Sequence, residues 1–138
     1  MAGYSGTPLP KKLGIKEGHR VAVLGGPEGF EDLLEPLPDG VMIRKAARGT
    51  NDVVISFHTS RAHFERRLDV ALRAMGVDGG LWIAWPKRAS GVPTDMTEDV
   101  VREVAVPRGL VDNKVCAIDE TWSGLRVVWR KERRAALR

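Results

Sequence analysis

A chain of 138 residues with 43% hydrophobic and 29% charged residues has the length for one globular domain with its own core and too little for two of ordinary size. No apolar run approaches the roughly 20 residues that cross a bilayer, the start lacks the apolar segment of a secretory signal, and the lone Cys116 has no disulfide partner. A spanning helix is therefore excluded and a reducing, cytoplasmic location is expected.

The net charge of +4 lies entirely in the last nine residues, where five cations face Glu132, so the body is neutral by count. Residues 131–138 read as a solvated basic tail, with salt-sensitive RNA contact through it as the alternative.

Residues 1–19 read as an N-terminal arm. Tyr4-Ser5-Gly6-Thr7-Pro8 is rich in turn formers, and a short helical turn over 8–13 would place Leu9, Leu13 and Ile15 inward and the lysines outward. Val21, Ala22, Val23 and Leu24 have the uncharged, apolar character of a strand buried on both faces of a parallel sheet. Gly25 and Gly26 then allow a sharp turn, and Pro27 suits the first turn of a helix. Such a strand, turn and helix aim free backbone N–H groups at the mouth of the sheet, where an anionic or polar ligand would sit. GGPEG lacks the GxGxxG spacing, and no Lys-Ser or Lys-Thr follows as in a P-loop. Phe30, Leu33 and Leu34 form one apolar stripe on a short helix that Pro36 and Pro38 end.

A short second strand is predicted over 41–44, a loop over 46–51 and a β-branched third strand over 52–57. Thr59 or Ser60 caps an amphipathic helix whose apolar positions are Phe64, Leu68, Ala71, Leu72 and Met75, with Gly76 closing it. Gly79-Gly80 leads into a fourth strand over 81–85 and a loop over 86–93. Asp95 with Glu98 has the spacing of a capping box for a helix carrying Val100, Val101 and Val104, ended by Pro107 and Gly109. A fifth strand over 115–118 and a sixth over 125–129 are joined by too few residues for a crossover helix, so they must form an antiparallel hairpin. The expected fold is a single three-layer α/β domain with a Rossmann-like, mostly parallel sheet.

In an open α/β sheet, ligands bind beyond the carboxyl ends of the parallel strands. Four loops meet there: 25–28, 58–61, 86–91 and 119–123. His58 would serve as a general base or simply cap the next helix. Asp119 and Glu120 would act as acid and base or pair with Lys87 and Arg88; being adjacent, at most one of them faces a shared site. Lys87 and Arg88, with Ser90 and Gly91, would hold a phosphate or carboxylate, or form a solvated loop. Thr59 joins Gly25 and Gly26 as a ligand-binding candidate, and Trp122, placed in a turn, would stack a ring if exposed. Trp82 and Trp85 read as core, and Cys116 as a small hydrophobe. No spacing suggests a metal site or a nucleophile elbow.

The order of elements resembles class I S-adenosylmethionine-dependent methyltransferases. VLGGPEG stands where that family has its glycine-rich cofactor loop, DVVISFHT where it has the strand after the adenine site, and GGLWIAWPK where a strand follows a Gly-Gly turn. The resemblance implies a methyltransferase-like fold, although Arg44 and Lys45 stand where the family usually carries the acidic residue that holds the ribose hydroxyls. The stretches YSGTPLPKKLGIK, LWIAWPKRASGVPTD and VDNKVCAIDETWSGLRVVWR also resemble a family of short bacterial proteins of unknown function. No cofactor is assigned by the residues themselves. The sequence points to a non-catalytic binding module that engages an anionic small molecule, RNA or protein at the carboxyl rim. The alternative is a small S-adenosylmethionine- or nucleotide-dependent transferase.

Overall fold

Six strands form one sheet in the order β2-β1-β3-β4-β6-β5 in the computed structural model, which describes residues 6–138. β1 (Arg20–Leu24), β2 (Met42–Arg44), β3 (Asn51–Phe57) and β4 (Met75–Pro86) run parallel. β6 (Trp122–Trp129) is inserted antiparallel between β4 and β5 (Leu110–Ala117). β5 thus points the same way as the parallel four, and the expected hairpin is present. Tyr4 and Ser5 of the turn-rich opening lie outside the described residues.

Alternation along the strands divides the core into two layers. On one face Ala22, Val54, Leu81, Ile83 and Leu125 pack against α2 (Arg61–Ala74) and α3 (Glu98–Ala105), which contribute Phe64, Leu68, Val101 and Ala105. On the other face Val23, Ile55, Phe57, Trp82 and Ala84 are covered more thinly, by Leu13 and Ile15 of the arm and by Phe30 and Leu34. The arm is held by α1 (Leu9–Lys12) and by the Trp82 indole N–H, which donates to the Leu13 carbonyl at 3.0 Å. Burying Leu13 and Ile15 contributes about 1.5–3 kcal/mol each to this docking.

Several sequence expectations change in the structure. The segment after the glycine turn is a five-residue 3-10 helix, Phe30–Leu34, entered through Gly29 in the left-handed region. Phe30 and Leu34 are buried, but Leu33 is 42% exposed. A 3-10 helix this short offers no developed helix N-terminus behind Gly25 and Gly26. Gly76 does not close α2: the chain passes straight from Ala74 into β4 at Met75, with a register irregularity where β3 meets it near Asn51 and Val53.

The capping box also differs. Thr97 caps α3 by accepting from the Val100 N–H, whereas the Asp95 carboxylate reaches across to accept from the Arg61 N–H at the start of α2. Of the two residues predicted to cap α2, Ser60 does so, accepting from the His63 N–H. The basic end, read as a solvated tail, is the largely exposed helix α4 (Lys131–Leu137), with the Arg133 guanidinium 5.7 Å from the Trp129 ring centre and Arg138 paired with Asp78. Among the described residues, no helix is long and apolar enough to cross a membrane.

Candidate functional site

The glycine turn leaves β1 with Gly25 at φ +68°, where a side chain would be strained and its Cβ would sit 3.4 Å from the Phe57 carbonyl. A Cβ at Gly26 would meet Val23 Cγ1 at 2.8 Å. Beneath this turn the Phe30, Phe57 and Trp122 rings form an edge-to-face chain with centroids 4.9 and 5.0 Å apart. Trp122, expected in a turn, begins β6 and is half-buried against Phe57, so its ring fills the thin face of the core. At the end of β2, Lys45 pairs with Glu31 at 2.8 Å.

His58 points under α2. Its Nε2 lies 2.6 Å from the Ser56 hydroxyl and its Nδ1 lies 2.8 Å from His63 Nδ1, while Ser56 and His58 are both buried. Two Nδ1 atoms at that separation require one ring to donate and the other to accept. Burial, then the neighbouring charges of His63 and Arg67, push the His58 pKa down to about 3. The ring is neutral near pH 7, where it bridges β3 and α2.

Asp119 has neither of its expected partners. Its carboxylate accepts from the N–H groups of Thr121 and Trp122 at 2.8 and 2.7 Å, the geometry of a side chain that fixes its own turn. Glu120 is exposed. Thr59 is exposed and its carbonyl accepts from the Thr94 hydroxyl at 2.6 Å, which ties the loop after β4 to the loop after β3.

Lys87, Arg88 and Ser90 lie beside one open cleft. The cleft has a volume of about 520 Å³ and a floor of Trp85 and Met96; Lys87 and Arg88 line one side, and Thr97 at the start of α3 and Ser123 of β6 complete it. The Lys87 N–H donates to the Thr121 carbonyl at 2.7 Å, and the Ser90 hydroxyl donates to the Lys87 carbonyl at 2.6 Å while accepting from the Val92 N–H. Ser90 therefore shapes the loop backbone. Neither the Lys87 ammonium nor the Arg88 guanidinium has an ion-pair partner among the described residues, so the salt bridge to Asp119 or Glu120 does not form. The one carboxylate on the cleft wall, Glu98, is paired with Arg102 at 2.8 Å.

β3 stands between β1 and β4, so Gly25 and Gly26 lie two strand spacings, roughly 10 Å, from the Lys87 loop. The rim thus divides into a glycine turn backed by aromatic rings and a cationic cleft beside β4. Sequence reasoning missed Thr94 and Thr97 in this cleft, and it placed Ser123 at the rim within the 119–123 loop without naming it as a ligand candidate. The signal for Thr94 and Thr97 was that residues 92–97 continue the 86–91 loop at the carboxyl edge of β4.

No family model and no curated protein matches the chain. Among solved structures it is similar to the DhpI–SAH complex, with 12% identity and a TM-score of 0.61 over 90% of this chain and 83% of that one. It is also similar to a putative type 11 methyltransferase from Sulfolobus solfataricus, with 14% identity and a TM-score of 0.60 over 89% and 90% of the two chains. A SAM-dependent methyltransferase from Aquifex aeolicus gives 16% identity and a TM-score of 0.61 over 85% of each chain. The fold is that of class I S-adenosylmethionine-dependent methyltransferases, as the order of elements implied.

Proposed function

We propose that the protein is a binding module built on a methyltransferase-like fold, which holds an anionic small molecule in the cleft beside β4 and performs no chemistry on it. The observation that carries this reading is the pair Lys87 and Arg88, two cations without ion-pair partners among the described residues, on the wall of a concave site with a partly apolar floor. The Thr94 and Asp95 contacts to the start of α2 hold the opposite wall in place, so little ordering is required when a ligand enters. The non-catalytic part of the reading rests on the engaged state of the rim's titratable groups. His58 is neutral and turned into the core, and Asp119 is bonded to backbone N–H groups.

A second reading, a small S-adenosylmethionine- or nucleotide-dependent transferase, is favoured by the glycine turn at the end of β1 and by the methyltransferases that share the fold. Thermal denaturation of the wild type and the Lys87→Ala/Arg88→Ala variant with a panel of phosphates, nucleotides, dicarboxylates and S-adenosylmethionine separates the two. A ligand at 100 times its Kd stabilises the folded state by about 2.7 kcal/mol. The binding-module reading expects an anionic compound to raise the melting temperature of the wild type and to lose most of that effect in the variant. S-adenosylmethionine stabilising both proteins equally, with methyl transfer to an acceptor, would replace it with the transferase.

A further inference from the structure

A second concavity, about 350 Å³ in volume, lies on the thin face of the sheet at the edge opposite the rim. Its centre is Arg126 on β6, directly opposite Trp82 on β4 and Lys114 on β5. Directly opposed residues on neighbouring strands have Cβ atoms roughly 5 Å apart, and like charges so placed repel. Arg126 is half-buried, and burial depresses its guanidinium from the ordinary value. Neither Arg126 nor Lys114 makes a side-chain hydrogen bond or ion pair among the described residues.

The bare backbone of β4 makes room for this arrangement. A Cβ at Gly80 would stand 2.4 Å from Arg126 Nε and 2.7 Å from its Cζ, so the guanidinium lies flat on the strand only because Gly80 has no side chain. The Gly79-Gly80 pair, which the sequence presents as a mere lead into a strand, thus has a specific neighbour. Neither carboxylate of the concavity forms an ion pair with Arg126 or Lys114 among the described residues. Asp52 accepts from the Arg20 N–H at 2.8 Å, and Asp78 pairs with Arg138. Lys16, on the arm that roofs the concavity, adds a further cation.

We propose that this concavity is a second anion site, in which Arg126 and Lys114 receive the phosphate of a small phosphomonoester or of pyrophosphate. A planar guanidinium matches two phosphate oxygens at once, and a dianion offsets both opposed cations where a single carboxylate would offset one. The volume is at the lower end of small-molecule sites, which suits a phosphate with a small attached group. This site is separate from the cleft beside β4, since it lies at the other edge of the sheet and shares no lining residue with it.

The test is an amide-resolved NMR titration of the full chain with two probes, pyrophosphate and ribose 5-phosphate. Saturable shifts at Gly79, Gly80 and Lys114 are expected with at least one probe. Response to pyrophosphate alone assigns an inorganic ligand, and response to both assigns a sugar phosphate. Arg126→Gln should weaken the affinity about tenfold or more, as loss of a charge-assisted pair does, while Lys87→Ala/Arg88→Ala leaves it unchanged. Lys114→Gln, at an exposed position on the edge strand, gives a second reading that does not depend on the Arg126 variant folding; it should weaken binding several-fold. The absence of saturable shifts with both probes would overturn the proposal. So would affinity undiminished in both Arg126→Gln and Lys114→Gln.

Discussion

Stability should fall as the pH drops from 7 to 5, with His58 as the chief cause. The imidazole is buried between Ser56 and His63, and its pKa is lowered from 6.5 in the unfolded chain to about 3 in the folded protein. A depressed folded-state pKa gives stability that is fully present above the unfolded value and is lost as the pH falls toward the folded one. At pH 5 the unfolded chain has taken up the proton and the folded protein has not, which costs about 2 kcal/mol relative to pH 7. For a domain of this size that is roughly 6 °C in melting temperature. The assay is urea unfolding at pH 7, 6 and 5, for the wild type and His58→Gln, with constant m-values as the check on two-state behaviour. The variant should be less stable at pH 7 by about 1–2 kcal/mol, from its lost hydrogen bonds and packing, yet nearly flat between pH 7 and 5. A variant that keeps the full wild-type slope would show that the proton is taken up elsewhere and that His58 is not the buried neutral group described here.

Three further outcomes follow from the packing. Trp82→Phe should destabilise the fold by about 1–3 kcal/mol, and hydrogen exchange should show the arm around Leu13 loosened, since the indole N–H that holds its carbonyl is gone. Gly26→Ala should cost about 1–3 kcal/mol by overpacking, because the new methyl meets Val23 Cγ1 at 2.8 Å; an unchanged melting temperature would show that the turn has slack. Removing residues 131–138 should lower stability by about 1 kcal/mol, the scale of an exposed cation–π contact together with a surface ion pair, and should red-shift Trp129 fluorescence. Unchanged fluorescence would mean that α4 does not cover Trp129.

The strands and their directions were legible because burial on both faces leaves an uncharged apolar run, as in 21–24 and 81–85, and because the six residues 119–124 cannot carry a crossover helix. The side chains at the rim were not. Period-two alternation places Ser56 and His58 on one side of the chain, but whether that side meets solvent or α2 depends on how the helix that starts at Arg61 folds back onto the sheet. Asp95 has ideal spacing to Glu98 for a local cap, yet it bonds to Arg61, a choice that only the packing of two helices on one sheet face can decide. Trp122 shows the same limit: its turn-like neighbours Thr121 and Ser123 gave no sign that Phe57 would claim its ring. Gly80 was visible as a glycine, but its partner Arg126 is 46 residues away and is brought beside it only by the insertion of β6 next to β4.

The central claim is that the working part of the rim is the cationic cleft beside β4, and one measurement addresses it most directly. An amide-resolved NMR titration with whichever anionic compound most stabilises the wild-type protein should shift Lys87, Arg88, Gly91, Thr97 and Ser123, the residues that line the cleft. The glycine turn on the far side of β3 should stay silent. Shifts centred instead on Gly25, Gly26 and Glu28, with the cleft unmoved, would contradict the account and return the site to the position of the methyltransferase cofactor loop.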